Sequence, residues 1–449
     1  MFRSRLFAIF SICSLLIPCI AFAQAPRNDK TAPVPAQTVV IACQNLWDGR
    51  SDTLRHNVSI VVQGDRIEKI VDHLVDANEA GSYASQGSKP LHYASGDPNS
   101  TCMPGLVEAH THVLLQGDIT AADYDEQILK QSVAFRTILA VRNAKRSLQY
   151  GFTTIRDLET EGAGYADVDL KKAINQGIVP GPRMFTSGRA MDVTGAYPVL
   201  GYAWELQPRM PKGVQEVDGV EGARKAVREQ LSYGVDWIKV YSDRSYSLRP
   251  DGVLDDIPTF TVDELRAIVD EAHRQRHKVA SHATALNGVH NSVVAGVDSV
   301  EHGDYIADED LAMMKQKGIY YVPTLFVGEY VAQGRGGVWP KMIAVNEETI
   351  RRAMKSGVKI AFGTDVGGFD WSITPAKQFA TFVKLGMTPK QAIQTSTLTG
   401  AELVGMADQI GTLEPGKLAD IISVPGNPLA DVTVLERVSK TWKGGVPAE

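Results

Sequence analysis

His110 and His112 stand one residue apart at the end of an apolar run, Leu106–Val113. Such a run reads as a strand, and its period of two puts both imidazoles on one face with Thr111 on the other. Two neutral imidazoles aimed at one point suit a divalent cation, with zinc the default. Three further runs end the same way: His282 in Ser281-His282-Ala283, His302 in Glu301-His302-Gly303 and Asp365 in Gly363-Thr364-Asp365. Lys239 lies inside another, Asp236-Trp-Ile-Lys-Val-Tyr241. A buried Lys is costly unless paired, and burial lowers its pKa. It therefore reaches the surface, forms an ion pair, or is a neutral amine able to capture CO₂. The resulting carbamate has two oxygens and could bridge two metals. Singly, each of these residues fits a hydrogen-bonded structural role. Together they place metal-capable side chains at one end of five strands. The remaining histidines (His56, His73, His92, His273, His277 and His290) read as surface or packing residues.

Eight short apolar runs position these side chains: 106–113, 151–158, 183–188, 236–242, 278–283, 299–303, 320–325 and 359–365. Amphipathic helical stretches separate most of them, among them 134–150, 220–233, 262–276 and 308–317. Eight βα units in nearly 300 residues predict an α/β chain with a (β/α)₈ TIM barrel over 105–404. No Gly-rich phosphate turn follows the first run, which disfavours a doubly wound sheet. Alternating β patterns occupy 38–43, 58–63 and 66–71, and strands are expected again at 411–424 and 432–438. The two flanks, 37–104 and 405–449, are expected to fold together as a small β-sandwich, with 76–100 as a loop.

With 44% apolar and 22% charged residues in a chain of 449, disorder and coiled coil are excluded. A net charge of -6 without a basic cluster argues against a nucleic-acid partner. Arg3 and Arg5, an apolar stretch from Leu6 and the small-x-small pattern Ala21-Phe22-Ala23 predict a signal peptide over 1–23. Export, secreted or periplasmic, follows, with no membrane attachment after cleavage. Residues 24–36 are Pro-rich and polar and are expected to be a disordered lead-in. Of four cysteines, Cys43 and Cys102 would remain, as a disulfide or as two buried thiols.

Met103-Pro-Gly-Leu-Val-Glu-Ala-His-Thr-His112 resembles the PGL-x-D-x-H-x-H signature of the amidohydrolase superfamily, with Glu108 in place of the usual Asp. Met387-Thr-Pro-Lys-Gln-Ala-Ile-Gln-Thr-Ser-Thr397 and Gly411-Thr-Leu-Glu-Pro-Gly-Lys-Leu-Ala-Asp420 resemble its C-terminal motifs. The resemblance implies a binuclear site: one metal on His110, His112 and Asp365, a second on His282 and His302, and carboxylated Lys239 bridging both. It implies attack by metal-bound hydroxide, with Asp365 moving the proton to the leaving nitrogen. Homo-oligomers are frequent in the family. The chain is most similar to the imidazolonepropionase-like branch, with its Xaa-Pro dipeptidases and ochratoxin-hydrolysing amidohydrolases. Those relatives cleave an amide whose amine side is an amino acid. That implies a small-molecule or dipeptide substrate, with Tyr241, Arg244 and Arg189 as candidates for its carboxylate. Where many relatives carry Thr-Gly-Gly-His, this chain has Thr194-Gly-Ala-Tyr197, so Tyr197 is a candidate substrate contact and an aromatic leaving amino acid, as in ochratoxin A, becomes a fair expectation.

The competing readings are a cyclic-amide hydrolase, a deaminase and a non-catalytic binding protein. A deaminase on this barrel would place a Glu a few residues after the strand-five His, whereas His282 is followed by Ala-Thr-Ala-Leu-Asn287. A dead homologue would have lost ligands, and this chain keeps the whole inferred set.

Overall fold

The computed structural model describes residues 37–84, 89–197 and 202–448. The expected signal peptide and lead-in lie outside the described residues. No helix among the described residues is long and apolar enough to cross a membrane.

Strands from both flanks make one eight-stranded sheet. Its order is Val446–Pro447, Lys440–Lys443, Ile421–Pro425, Ser100–Pro104, Thr38–Leu46, Arg55–Gln63 and Arg66–Val71, with Leu91–Ala94 also paired to Thr38–Leu46. Alternation in sequence becomes alternation of faces. Val39 and Ile41 from one strand meet Val58, Ile60 and Val62 from its neighbour, with Ile421 and Trp442 in the same buried cluster. Cys43 and Cys102 are joined in a disulfide inside that cluster. Closing a loop with a sequence separation of 59 contributes about 4 kcal/mol by chain entropy.

The flanks differ from expectation in three places. Residues 76–100 are not simply a loop, because they hold the short 3₁₀ helix Glu79–Tyr83 and the strand Leu91–Ala94. The strand expected at 411–424 is confined to Ile421–Pro425, since the Glu414-Pro-Gly416 turn puts Gly416 at φ 88°. The segment expected as a strand at 432–438 is a 3₁₀ helix, Val432–Arg437, whose first turn is capped by the Asp431 carboxylate accepting from Thr433 N–H.

Between the flanks the chain is mixed α/β. Three parallel strands, Leu106–Thr111, Phe152–Asp157 and Arg183–Thr186, form one sheet. Six more form a second, in the order Gln215–Glu216, Met191–Asp192, Trp237–Tyr241, Lys278–Ala283, Ser299–His302 and Tyr320–Val322. Leu106–Thr111, Phe152–Asp157 and Trp237–Tyr241 are buried throughout, as parallel strands covered on both faces must be. Helices follow the strands where the 3.6-residue pattern placed them. Val262–Arg274 starts in a capping box between Thr261 and Glu264, and Asp308–Lys317 carries three acids in its first turn.

The last predicted strand, 359–365, is an extended segment rather than a regular one. It bridges Tyr321 through Ile360, and Val366 just beyond it bridges Thr111. Ala109 N–H donates to Phe362 O at 2.9 Å and Asp365 N–H to His110 O at 2.9 Å. Regular pairing fails because Asp365 sits at φ 64° and because the neighbours press on Gly363. A Cβ at Gly363 would lie 2.4 Å from Val322 Cγ1 and 3.0 Å from His110 Cβ. Glycine is what lets this segment approach the strand carrying His110. At the other gap between the sheets, Asp236 N–H donates to Thr186 O at 2.8 Å.

Candidate metal centre

The strand ends deliver the histidines to one cavity of about 190 Å³. His110, His112, His282, His302 and Asp365 all line it. Potential ligand atoms of His110, His112 and Asp365 lie within 4.8 Å of one another. The His302 ring centroid is 5.0 Å from that of His110 and 4.4 Å from that of His282. Thr111 points the other way, as period two requires, and its hydroxyl donates to Asp157 Oδ1 at 3.0 Å. Lys239 is buried on its strand, with its Nζ 5.5 Å from the Tyr241 ring centroid.

Each imidazole has one nitrogen tied down. His110 Nδ1 meets Glu301 Oε2 at 3.0 Å, His112 Nδ1 meets Glu159 O at 3.2 Å, and His302 Nδ1 meets Thr324 Oγ1 at 2.8 Å. His282 is held by the opposite nitrogen, with Nε2 2.8 Å from the Tyr246 hydroxyl. The remaining nitrogens are Nε2 of the first three and Nδ1 of His282. Buried His110 Nε2 and Asp365 Oδ1 have no hydrogen-bond partner among the described residues. Buried polar atoms are rarely left so. Two orphaned lone-pair atoms among imidazoles and a carboxylate are the donor set that a divalent cation takes.

The electrostatics favour neutral rings at His110, His282 and His302. Burial holds His110 and His282 well below the usual histidine range, and burial pushes His302 down to about 3. His112 goes the other way, to about 10: burial opposes its charge, but Asp365 at 3.1 Å, with Glu161 and Glu159, outweighs burial. A divalent cation held by His112 and Asp365 would take the place of that charge. Burial also pushes the Lys239 amine down, against the pull of Glu301, Glu159 and Asp365.

Backbone strain gathers at the same rim. Of the eight non-glycine residues with positive φ among those described, five lie at or beside this cavity: Glu159, Glu161, His302, Thr324 and Asp365. Left-handed backbone costs on the order of 1–3 kcal/mol per residue and clusters where function over-determines it.

The substrate candidates divide. Tyr197, Tyr241 and Arg244 line the cavity. The Arg244 guanidinium packs 4.3 Å from the Tyr197 ring centroid and 4.2 Å from that of Tyr241, with Asp192 at 3.5 Å. Arg189 does not line the cavity, and its carbonyl accepts from Gln230 at 2.6 Å. Tyr241 does not offer its hydroxyl freely either, because it donates to Glu159 and lies 3.4 Å from Glu161. Glu161 also accepts from Tyr124 at 2.6 Å and Tyr197 at 3.0 Å.

Glu159 and Glu161 were missed in the sequence. Asp157-Leu-Glu-Thr-Glu161 ends the second parallel strand at the same rim, so the rule that found His282 would have found them. Asp118, Tyr246 and Arg335 also line the cavity and carried no comparable signal. Asp118, Tyr197, Arg244, Arg335 and Trp339 line both this cavity and an adjoining one of about 800 Å³.

Comparison with known proteins identifies the family. The amidohydrolase family matches residues 101–447. Ochratoxinase from Aspergillus niger is 35% identical over 439 residues, covering 91% of this chain and 86% of that protein. Its crystal structure covers 92% of this chain and 96% of its own, with a TM-score of 0.75 and 29% identity. A crystal structure of a Xaa-Pro dipeptidase with methionine bound in its active site has a TM-score of 0.77 and 32% identity, covering 92% of this chain and 99% of its own. Imidazolonepropionase from Erwinia tasmaniensis is 23% identical, over 86% of this chain and 93% of that protein. The chain belongs to the amidohydrolase family and is a hydrolase acting on C–N bonds.

Proposed function

We propose that the chain hydrolyses the amide bond to a C-terminal amino acid, in N-acyl or aminoacyl amino acids, with two divalent cations, zinc by default. The observation that carries this is the convergence of four imidazoles and Asp365 on one cavity, with His110 Nε2 and Asp365 Oδ1 buried and unpartnered. His110, His112 and Asp365 would hold one ion, His282 and His302 the other, and a carbamate on Lys239 both. When bound, such ions supply Lewis acidity toward the scissile carbonyl and the attacking water.

The chain's own residues do the rest. Asp365 turns Oδ1 to the imidazoles, which leaves Oδ2 to take a proton from water and return it to the leaving nitrogen. Arg244 is the cation that meets the substrate carboxylate. The phenols of Tyr197 and Tyr241 hold it in place by their ring faces, since their hydroxyls serve Glu161 and Glu159. The larger adjoining cavity, with Tyr124, Ile257 and Trp339 in its wall, has room for a bulky acyl group. Ochratoxin A, an aromatic acyl group on phenylalanine, fits that description.

In the same reading Leu106–Thr111, Phe152–Asp157, Arg183–Thr186, Trp237–Tyr241, Lys278–Ala283, Ser299–His302, Tyr320–Val322 and segment 359–365 close into one eight-membered barrel. The flanking sheet makes the second domain, the leader directs export, and the chain self-associates as its family does. The test is hydrolysis by the zinc-loaded protein, with bicarbonate present, of N-acyl-Phe, ochratoxin A, Xaa-Pro and Xaa-Arg dipeptides and a lactam. Release of Phe, Pro or Arg that vanishes with chelator supports the reading. Turnover of the lactam alone overturns it in favour of a cyclic-amide hydrolase.

A further inference from the structure

Beneath the histidines lies a buried charged pair that the proposed reaction does not use. Arg156, on Phe152–Asp157, and Glu301, on Ser299–His302, are both fully buried. Arg156 packs 4.4 Å from the Trp237 ring centroid. Its Nε–H donates to Ala109 O at 2.6 Å, one Nη to Ser299 Oγ at 3.0 Å and the other to Glu301 Oε1 at 2.8 Å. The Ser299 hydroxyl donates to the same Oε1. That oxygen is filled by two donors. Oε2 is turned to His110 Nδ1 at 3.0 Å.

We infer that Arg156 and Glu301 act as a tautomer lock on His110. A carboxylate offers lone pairs only, so His110 must present its proton at Nδ1. The lone pair then lies on Nε2, the atom that is buried, unpartnered and facing Asp365 at 3.8 Å. Arg156 fixes which carboxylate oxygen is left for His110. Through Ala109 O it also anchors the backbone immediately before that histidine. Both are positioning residues: neither lines the cavity. Partners of this kind change metal affinity by roughly 10–100-fold.

The inference rests on His110 being a metal ligand, and its test separates the two claims. In Glu301→Gln, Arg156 and Ser299 keep the amide carbonyl, and the NH₂ faces His110. That donor demands a lone pair on Nδ1, so the proton moves to Nε2. The expected result is Zn²⁺ affinity lowered 10–100-fold against a competing chelator. In ¹⁵N-histidine-labelled metal-free protein, the His110 resonances should report the switched tautomer. Adding Arg156→Met frees the amide to turn its carbonyl toward His110, and affinity should return to within about 3-fold of wild type. A pair that merely braces the fold would not produce this reversal.

Wild-type affinity and an unchanged tautomer in Glu301→Gln overturn the lock while leaving the metal reading intact. So does a double variant that binds as weakly as the single one. Wild-type protein that binds no Zn²⁺ overturns both. Should Glu301→Gln not fold, the charge-free Arg156→Met/Glu301→Leu protein has no acceptor for His110. Weakened Zn²⁺ binding there supports the lock, and undiminished binding overturns it.

Discussion

The two walls of the cavity are built on different terms. The histidine wall rests on strand ends, and each ring is fixed by one bond to a neighbouring strand or its loop: Glu301, Glu159 O, Thr324 and Tyr246. The opposite wall is assembled from side chains scattered between Tyr124 and Trp339, gathered by the strained Glu159 and Glu161 and by Arg244 packed on the faces of Tyr197 and Tyr241. A wall on strands holds geometry to the tolerance that metal ligation needs. A wall drawn from helices, a hairpin and connecting segments can change its substrate without disturbing the metals.

That contrast predicts a ranking of effects on turnover. Asp365→Asn should lower kcat by roughly 10³-fold or more, because the proton acceptor is lost and a ligand weakened. Its circular dichroism should stay native. Next, Arg244→Met should raise KM about 10–100-fold for substrates with a free carboxylate, the worth of a charged hydrogen bond. It should leave their amidated counterparts unaffected, and paired kinetics on the two substrate sets check this. Glu161→Gln should act more gently, raising KM several-fold with kcat nearly kept, since Tyr124 and Tyr197 lose a charged acceptor but not their packing.

The smallest effect on turnover belongs to the distant sheet. Cys43→Ser/Cys102→Ser should leave kcat unchanged while removing about 4 kcal/mol of stability, read as a lower urea midpoint. If that variant lost metal as well, the flanking sheet would prove coupled to the site, and the division into independent walls would fail.

The same contrast explains what the sequence could disclose. His110 and His112 were legible because period two is a local rule, and His282 and His302 because each ends an apolar run. Asp365 is legible by the same rule, although its segment is not a regular strand: the crowding at Gly363 and the left-handed turn at Asp365 leave no mark on the periodicity. Tyr241 lines the cavity, but its partner Glu159 is 82 residues away, so the use of its hydroxyl could not be read from spacing. Arg189, a candidate by resemblance, does not line the cavity, because residue type and spacing do not say where a long side chain ends. At 432–438 β-branched residues suggested a strand, and the Asp431 cap decided otherwise. Local periodicity reveals what a strand carries; it is silent on which distant side chain will claim the last hydrogen bond.

The central claim is that this cavity holds divalent cations and uses them to free a C-terminal amino acid. The most direct measurement is release of phenylalanine from an N-acyl-phenylalanine by the zinc-loaded protein, before and after chelation and again after zinc is restored. The account predicts release that stops with chelator and returns with zinc. Release indifferent to chelation would contradict it.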